Sequence, residues 1–369
     1  MEPFKNIFNK KMITKIANVL KTCDSNFPSD EFIKISHKNL NKLEMKDRVK
    51  QIAKALEISL PYNYKKNTKL MIKTLAPSEE QHESKLSGFQ VWPYAQYVES
   101  YGQENFEVSM QAMYEITKRF TSEFSIRPFI DLYPDDLYEY LKTWCHDPNH
   151  HVRRLCSEGI RPNLPWGLKS QYVIKNLKKN IEILELLKSD SSEYVRKSVA
   201  NHLNDISRID ELLFLKLVKR WKKENKSKEM EKLIRHACRT LLKNGQKDVL
   251  KLHGYEIGPS IKLTNFKVSP KEIKEGDNLN INLRILNKDQ KHKETKLLID
   301  YIIHYKKKSG YSQKVFRLRD TKVLDELEIE KNIHFKKVTT RKHYPGKHYI
   351  EIQINGLSQS KKEFILNET

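Results

Sequence analysis

One motif occurs twice in this chain at a constant offset of 43 residues. The segment CHDPNHHVRRLCSEG, which begins at residue 145, corresponds to LKSDSSEYVRKSVANH, which begins at residue 187. Both copies have an aspartate in a polar turn, and both open the next apolar-spaced stretch with Val-Arg. The matched residues are Asp147, Val152, Arg153 and Glu158 in the first copy, and Asp190, Val195, Arg196 and Asn201 in the second. A weaker copy follows at Ile234-Arg235. Repeats of about 40 residues with this turn are typical of HEAT-like helical solenoids.

A shorter repeated motif begins upstream of that one. RFTSE (119–123) followed by IRP (126–128) is repeated as RLCSE (154–158) followed by IRP (160–162). Glu123 and Glu158 therefore occupy equivalent positions in successive repeats. Because a solenoid stacks its second helices side by side, we expect these glutamates to line up with Asn201. Asp205 lies one helical turn beyond Asn201 and should share its face.

The apolar spacing changes from helical to alternating near residue 254. Up to Gly254 apolar residues recur at helical spacing, and after GYEIGP (254–259) they alternate with polar ones in segments rich in β-branched and aromatic residues. The alternating segments are IKLTNFKV, NLNINLRIL, TKLLIDYIIHY, KVFRLRD, HFKKV and KHYIEIQI. The pattern predicts a mainly α chain: a HEAT-like helical-repeat solenoid over residues 1–254, followed by an all-β immunoglobulin-like sandwich over residues 261–369.

The charge of the chain indicates a polyanionic partner. Lys and Arg number 69 against 47 Asp and Glu, a formal net charge of +22. Residues 261–369 alone carry 24 basic and 14 acidic side chains, a net charge of +10, so both halves are basic. Each basic side chain that neutralises a phosphate also releases a condensed counterion, which favours nucleic acid as the partner. An anionic membrane surface, or plain solubility, is the alternative explanation of the charge.

Several classes of protein are disfavoured. No apolar run approaches the roughly 20 residues that cross a bilayer, and the charged N-terminal segment is a poor secretory signal, so we expect a cytoplasmic protein with no membrane association. The four cysteines form no CxxC pair, which disfavours a disulfide scaffold or a zinc ribbon. His146, His150 and His151 lie near Cys145 and Cys156 without a recognised ligand spacing, so we expect no metal.

A row of carboxylates is anomalous in so basic a protein, because each would repel a bound polyanion. It is explained if the row faces a cation, such as an alkylated base or the oxocarbenium-like sugar formed when a glycosidic bond breaks. The alternative is structural: Arg119 with Glu123, and Arg154 with Glu158, have the i,i+4 spacing of ion pairs on a solvated helix face. Spacing alone does not separate these two readings.

Two further features bear on the site. Trp166 follows a helix end in a loop with two prolines, where an indole could stack on a base or sugar, although a tryptophan is more often part of a core. The pairs Asp147/Arg153 and Asp190/Arg196 are interpreted as braces between a turn and the next helix of the same repeat. Arg154 is therefore a better candidate for function than Arg153.

Four segments together resemble a known family. HHVRRLCSEGIRPNLPWG (150–167), GFQVWPYAQYVESYG (88–102), TSEFSIRPFI (121–130) and VRKSVANHLNDIS (195–207) look like bacterial DNA alkylation repair glycosylases of the AlkC type, relatives of AlkD. The resemblance covers roughly residues 1–254. Members with a C-terminal immunoglobulin-like domain form a recognised subtype, which fits the strand-rich tail. Cys156 stands where a small or aliphatic residue is expected, a mild departure.

The resemblance implies a function and a set of site residues. It implies excision of cationic N3-methylated bases from duplex DNA, N3-methyladenine above all with N3-methylcytosine as a second substrate, by a monofunctional, water-using DNA glycosylase that starts base excision repair. It implies no metal and no cofactor; we further expect a monomer that joins the bacterial nucleoid when bound to DNA. The family's catalytic carboxylates correspond to Glu123 and Glu158, joined by Asp205, and Trp166 is a further site residue. The predicted DNA or lesion contacts are Trp166, Arg154, Arg161, Trp92 and Asn201.

Two other functions are compatible with parts of the sequence. A non-catalytic HEAT-repeat protein that binds DNA structure would use the same basic groove, but it has no evident use for a carboxylate row. A protein-binding scaffold would not explain why both halves are basic.

Overall fold

The computed structural model describes residues 3–77, 80, 82–288, 293–336 and 342–368. Packing divides the chain into two compact units, one of Met1–Phe214 with Asn225–Ala237 and the other of Leu215–Glu224 with Cys238–Thr369. The proposed domains, residues 1–254 and 261–369, divide the chain by secondary structure instead, since the last helices pack in the second unit.

Sixteen α-helices precede the strands in the described part of the chain. They are α1 (Lys10–Cys23), α2 (Ser29–His37), α3 (Met45–Ser59), α4 (Tyr64–Lys73), α5 (Trp92–Tyr101), α6 (Phe106–Thr117), α7 (Arg127–Leu132), α8 (Pro134–Trp144), α9 (His150–Glu158), α10 (Gln171–Lys175), α11 (Leu177–Leu187), α12 (Glu193–Ile206), α13 (Glu211–Glu224), α14 (Lys228–Ala237), α15 (Arg239–Lys243) and α16 (Lys247–Leu252).

Helix α12 shows why the repeats stack. Its residues Val195, Val199 and Leu203 follow one another at i,i+4 spacing, and all three are fully buried. The helix packs against α9 of the preceding repeat and against α14 of the following one. Burying each such side chain stabilises the fold by about 1.5–3 kcal/mol. Each helix therefore covers its apolar face only by packing on its neighbours, as in a helical-repeat array.

The repeated aspartates and arginines fasten one repeat to the next. Arg153 donates Nη1 to the carbonyls of Asp147 and Pro148 in its own turn, and Arg196 makes the equivalent contacts with Asp190 and Ser191. The carboxylate of Asp190 is instead held by Arg153 of the preceding repeat, with Nε–Oδ2 at 2.6 Å and Nη2–Oδ1 at 2.9 Å. The expected brace within each repeat thus uses backbone carbonyls, while the side-chain ion pair crosses between repeats.

The strands form two sheets in the second unit. The strands are β1 (Ile261–Ser269), β2 (Glu272–Ile273), β3 (Asn278–Asn287), β4 (Thr295–Lys306), β5 (Tyr311–Val323), β6 (Glu326–His334), β7 (Gly346–Ile354) and β8 (Leu357–Leu366). One sheet has the order β1-β3-β6 and the other β2-β8-β7-β4-β5. All pairs are antiparallel except β2 with β8.

Alternating side chains build the core between these sheets. Leu279, Ile281, Leu283 and Ile285 of β3 are fully buried in the same apolar cluster as Ile350 of β7. The predicted fold class, a HEAT-like helical-repeat solenoid followed by an immunoglobulin-like sandwich, is confirmed. The predicted segment HFKKV only reaches the end of β6 at His334, and its residues 337 and 338 lie outside the described residues. Strands β2, β6 and β8 were not predicted.

Candidate active site

The site is built around the end of helix α9. Asn149 caps the start of this helix, since its Oδ1 accepts the backbone N–H of His151 at 2.8 Å. Val152 and Leu155 bury one face of the helix. The helix ends at Glu158, and Gly159 is its C-cap residue. A Cβ on Gly159 would lie 2.7 Å from Cγ2 of Ile126, so the absence of a side chain lets the chain pass close to the start of α7.

Three predicted carboxylates and two predicted arginines alternate in one continuous row. Arg154 contacts Glu123 (Nη1–Oε2, 2.6 Å) and Glu158 (Nη2–Oε1, 3.4 Å). Arg161 then contacts Glu158 (Nη1–Oε1, 2.7 Å) and Asp205 (Nε–Oδ2, 2.9 Å). The row carries three negative and two positive charges, so it retains a net negative charge in a strongly basic protein.

The pKa values of the two buried carboxyl groups of the row, Glu158 and Asp205, shift in opposite directions. Burial disfavours the charged form of Glu158, but the guanidinium groups of Arg154 and Arg161 outweigh it and hold the pKa of Glu158 below its usual value. For Asp205 burial is the larger effect, and it raises the pKa despite the contact with Arg161. Glu158 is therefore ionised at neutral pH, whereas burial makes Asp205 more basic than an ordinary aspartate.

Three polar or aromatic neighbours complete the row, and the sequence analysis did not single them out. Ser198 of α12 donates its hydroxyl to Oε2 of Glu158 at 2.7 Å. Thr121 accepts from Arg154 and lies 3.2 Å from Oε2 of Glu123. The ring of Tyr194 lies 5.1 Å from the guanidinium carbon of Arg154. All contacts of Glu123 use Oε2, and within the described residues Oε1 accepts no hydrogen bond.

The solvated-face explanation of the carboxylates is wrong for this row. The side chains of Glu158 and Arg154 are only 6% and 15% exposed, so their ion pair does not lie on a solvent-exposed helix face. Arg119 does not contact Glu123 either, because α6 ends at Thr117 and Glu123 lies in the following turn. Arg119 pairs with Glu115 at 2.7 Å instead.

Trp166 is presented to solvent on the loop that follows α9. Its side chain is 66% exposed, unlike the buried indoles of Trp92, Trp144 and Trp221. Its backbone has φ of +64°, in the left-handed region that a bulky side chain rarely adopts. The backbone carbonyl of Trp166 accepts a hydrogen bond from the ammonium group of Lys46 at 2.6 Å. The predicted display of this indole is therefore present in the structure, although no ligand contact follows from it alone.

Two other predicted contacts lie away from the row. Trp92 is 5% exposed and packs against Phe8, Phe120 and Phe124, with ring centroids 5.7–6.0 Å apart. Its indole belongs to an aromatic cluster and is not presented to DNA. Asn201 accepts from Nε2 of His236 on α14 at 2.8 Å. Ser198, one turn earlier on α12, takes the place beside Glu158 that the repeat alignment gave to Asn201.

A recess of about 330 Å³ opens beside the row. Its lining includes Arg119, Thr121, His151, Arg154 and Tyr194. Within the described residues, no group of three or more His, Cys, Asp or Glu side chains is arranged to hold a metal ion. No helix in the described part of the chain is long and apolar enough to span a membrane.

Comparisons with known proteins agree with this architecture. Residues 43–241 match the family described as DNA alkylation repair enzyme, and residues 262–368 match the C-terminal Ig-like domain of YhaZ. YhaZ of Bacillus subtilis (strain 168), an uncharacterized protein, is 35% identical over 368 residues, which is 99% of either chain. The solved structure of the Pseudomonas fluorescens alkylpurine DNA glycosylase AlkC, bound to DNA containing an abasic site analog, is 33% identical. It covers 99% of this chain and 100% of its own, with a TM-score of 0.92. This chain therefore belongs to the family of DNA alkylation repair enzymes.

Proposed function

We propose that this chain is a monofunctional DNA glycosylase that excises cationic N3-methylated bases from duplex DNA. N3-methyladenine is the main substrate and N3-methylcytosine the second. The observation that carries the proposal is the row formed by half-buried Glu123 and buried Glu158 and Asp205 with two arginines, which stays net negative in a protein of net charge +22. Fixed negative charge of this kind stabilises the oxocarbenium-like sugar that forms as the glycosidic bond breaks.

The arginines of the row give the carboxylates a fixed geometry. Arg154 and Arg161 hold Glu123, Glu158 and Asp205 in place before any ligand arrives, so no reorganisation is needed when charge develops on the sugar. The same arginines keep Glu158 ionised at neutral pH. Electrostatic stabilisation by preorganised groups is the principal contribution of this site to the rate.

Glu123 and Asp205 have complementary roles toward the attacking water. Oε1 of Glu123 accepts no hydrogen bond from the described residues and is available to orient a water molecule toward C1′. Asp205, whose pKa is raised by burial, accepts a proton from that water once it has attacked. The leaving base already carries a positive charge, so it departs without a general acid.

Lesion selection rests on lability of the glycosidic bond and on stacking. The recess beside the row is lined by Arg119 and Arg154, whose charges would repel a cationic base. The exposed indole of Trp166 can pack on the nucleoside without a base-specific pocket. Full extrusion of the base is then not required, in contrast to glycosylases that read a flipped base.

A second candidate function is binding of DNA structure without catalysis. One observation favours it, because the carboxylates are partnered by the protein's own arginines and so could serve stability alone. In either case we propose that the chain acts as a monomer on duplex DNA in the bacterial cytoplasm and nucleoid.

Incubation with methylated genomic DNA separates the two functions. We expect the purified protein to release N3-methyladenine, identified by mass spectrometry, and the Glu158→Gln variant to release at least about tenfold less. Binding of the DNA by the wild-type protein without release of any base would support the non-catalytic function and overturn the proposal.

A further inference from the structure

The loop that carries Trp166 has a strained backbone conformation and an exposed indole, and other residues must stabilise this arrangement. Its tryptophan adopts φ of +64°, a strained backbone conformation for a side chain with a bulky Cβ substituent. The indole is 66% exposed, so no core packing of the ring fixes it there. Strain of this kind is retained only where the surrounding structure enforces it.

Arg127 is the main group that fastens this loop. Its Nε donates to the carbonyl of Leu168 at 2.8 Å, and its Nη1 donates to the carbonyls of Gly159 and Arg161 at 2.8 and 2.9 Å. One guanidinium thus joins both ends of the segment 159–168. Each contact is to a backbone oxygen, so the interaction fixes the path of the chain and not the identity of its side chains.

The environment of Arg127 is costly for a cation. The side chain is 1% exposed, makes no ion pair within the described residues, and its Nη2 has no hydrogen-bond partner there. Burial lowers its pKa to about 10. Attraction to Asp131 offsets only part of this effect, and a buried cation without an ion pair is expensive to keep. Its equivalent in the next repeat, Arg161, is paired with Glu158 and Asp205, so the same IRP motif holds a loop in one repeat and carboxylates in the next.

Lys46 of α3 holds the same loop, and Asp131, on the same helix as Arg127, holds the residues that follow it. The ammonium of Lys46, on α3, donates to the carbonyl of Trp166 itself at 2.6 Å and lies 4.8 Å above the ring of Phe124. Asp131, on α7, accepts from the hydroxyl of Ser170 at 2.8 Å and from the backbone N–H of Tyr172 at 3.2 Å. The strained residue is therefore anchored at its own carbonyl and on both sides.

We propose that Arg127 and Lys46 are positioning residues, which hold residues 159–168 in the one path that presents Trp166 to the nucleoside. The assignment rests on the proposed function, since Trp166 matters only if it packs on a lesion. Neither residue touches the reacting atoms, so both act through the loop.

The experiment compares Arg127→Lys with Arg48→Lys. Arg48 is a matched control, because it is also buried and its guanidinium also binds three backbone carbonyls, those of Lys5, Phe8 and Leu43, each at 3.1 Å. Lysine keeps the charge but cannot reach three carbonyls at once. Lys46→Met, with Lys50→Met one turn further along α3 as its control, removes the second anchor at a partly exposed position where unfolding is not a concern.

Amide hydrogen exchange and single-turnover excision are measured for each variant. We expect faster exchange in residues 159–170 for Arg127→Lys and Lys46→Met but not for the two controls. Excision of N3-methyladenine should fall by about 10–100-fold for Arg127→Lys, since a misplacement of about 1 Å has effects of that size. In a Trp166→Ala background the same substitution should have little further effect.

Two results would overturn the positioning role. One is unchanged exchange in residues 159–170 for both Arg127→Lys and Lys46→Met. The other is a loss of excision on Arg127→Lys that is as large with Trp166→Ala as without it. If the wild-type protein excises no base, the proposed function fails, but the exchange measurement still decides whether Arg127 and Lys46 hold the loop.

Discussion

Arg161 and Asp205 form a two-point ion pair, with Nε–Oδ2 at 2.9 Å and Nη2–Oδ1 at 3.3 Å. The same guanidinium also contacts Glu158, yet the pKa values of the two carboxyl groups shift in opposite directions. Glu158 also lies near Arg154, so attraction exceeds the effect of burial and its pKa is lowered. For Asp205 the effect of burial outweighs the attraction of Arg161 and Arg208, and its pKa is raised. One arginine thus links a carboxylate whose pKa is lowered to one whose pKa is raised.

The first prediction is that neutral variants of these carboxylates change stability with opposite dependence on pH. The lowered pKa of Glu158 means that its charge stabilises the fold above its unfolded-state pKa, about 4.3, and that this is lost as the pH falls through the folded pKa. The raised pKa of Asp205 means that wild-type stability falls as the pH rises from about 3.9 through the folded pKa. Glu158→Gln should therefore destabilise by roughly 1.5–3 kcal/mol near neutrality and by less in acid.

Urea unfolding between about pH 3 and pH 7 is the measurement. The free-energy difference between wild type and Glu158→Gln should grow as the pH rises, whereas the difference between wild type and Asp205→Asn should shrink. Slopes of the same sign for both variants would show that the two carboxylates do not have opposite pKa shifts.

A second prediction concerns catalysis by the carboxylates. Glu123→Gln and Glu158→Gln should each lower excision at least about tenfold, because each removes charge that stabilises the transition state. Affinity for duplex DNA should hold or rise, since a repulsion toward phosphate is removed and Arg154 loses a partner that competes with phosphate. The double variant should be less impaired than the product of the two single effects predicts.

Single-turnover release of N3-methyladenine tests this prediction, with Glu115→Gln as the control. Glu115 is an arginine-paired glutamate outside the row, bound to Arg119 at 2.7 Å. It should leave the rate nearly unchanged. Near wild-type rates for both Glu123→Gln and Glu158→Gln would remove the carboxylates from the mechanism.

Much of the architecture was predictable from the sequence because periodicity depends on burial. The offset of 43 residues predicted stacked helix repeats, and the change to alternation after Gly254 predicted a sandwich. Strand β8 was missed because its segment SQSKKE is polar, and its apolar residues are confined to Leu357 at its start and Phe364, Ile365 and Leu366 at its end. An exposed strand of this composition has no alternating signal to read.

The sequence predicted several residues of the site but not the side-chain contacts between them. The repeats identified Glu123 and Glu158 as equivalent, yet they could not show that Arg154 joins them. Equivalent positions in two repeats are not the positions in contact: Glu158 contacts Ser198, 40 residues on, instead of Asn201. Arg127 could have been found from the repeated IRP motif, but its role depends on backbone carbonyls, which leave no mark in a sequence.

The third prediction tests whether the basic strand unit binds phosphate. Ending the chain near Gly258 is a poor test, because residues 238–252 pack with the strands, and a Cβ on Gly245 would lie 2.7 Å from Cα of Gly356. Charge reversal in the full chain avoids this problem. Lys307 and Lys308 are adjacent and exposed at the turn between β4 and β5.

Replacing both by glutamate should weaken duplex binding and flatten the slope of log K against log salt by about 1–2, since each phosphate contact contributes about 0.9. The equal charge change at Lys361 and Lys362, on the face of strand β8, is the control and should alter the slope less. Identical slopes for wild type and the Lys307/Lys308 variant would mean that this turn does not touch DNA.

The last prediction separates catalysis from lesion selection. A cationic N3-methylated base leaves readily once the sugar cation is stabilised, whereas uracil or 1,N6-ethenoadenine must be protonated as it leaves. Glu158 cannot supply that proton easily, because it is held ionised by Arg154 and Arg161. We therefore expect negligible release of neutral lesions over a broad pH range, without a rise in rate toward acid. Trp166→Ala should lower excision of N3-methyladenine and N3-methylcytosine by a similar factor, and Trp166→Phe should restore part of the loss, since stacking is tolerant of base identity. Release of each base from defined duplexes is the measurement. Efficient excision of uracil or ethenoadenine by the wild-type protein would show that a base-specific pocket exists, and selection by lability would then be wrong.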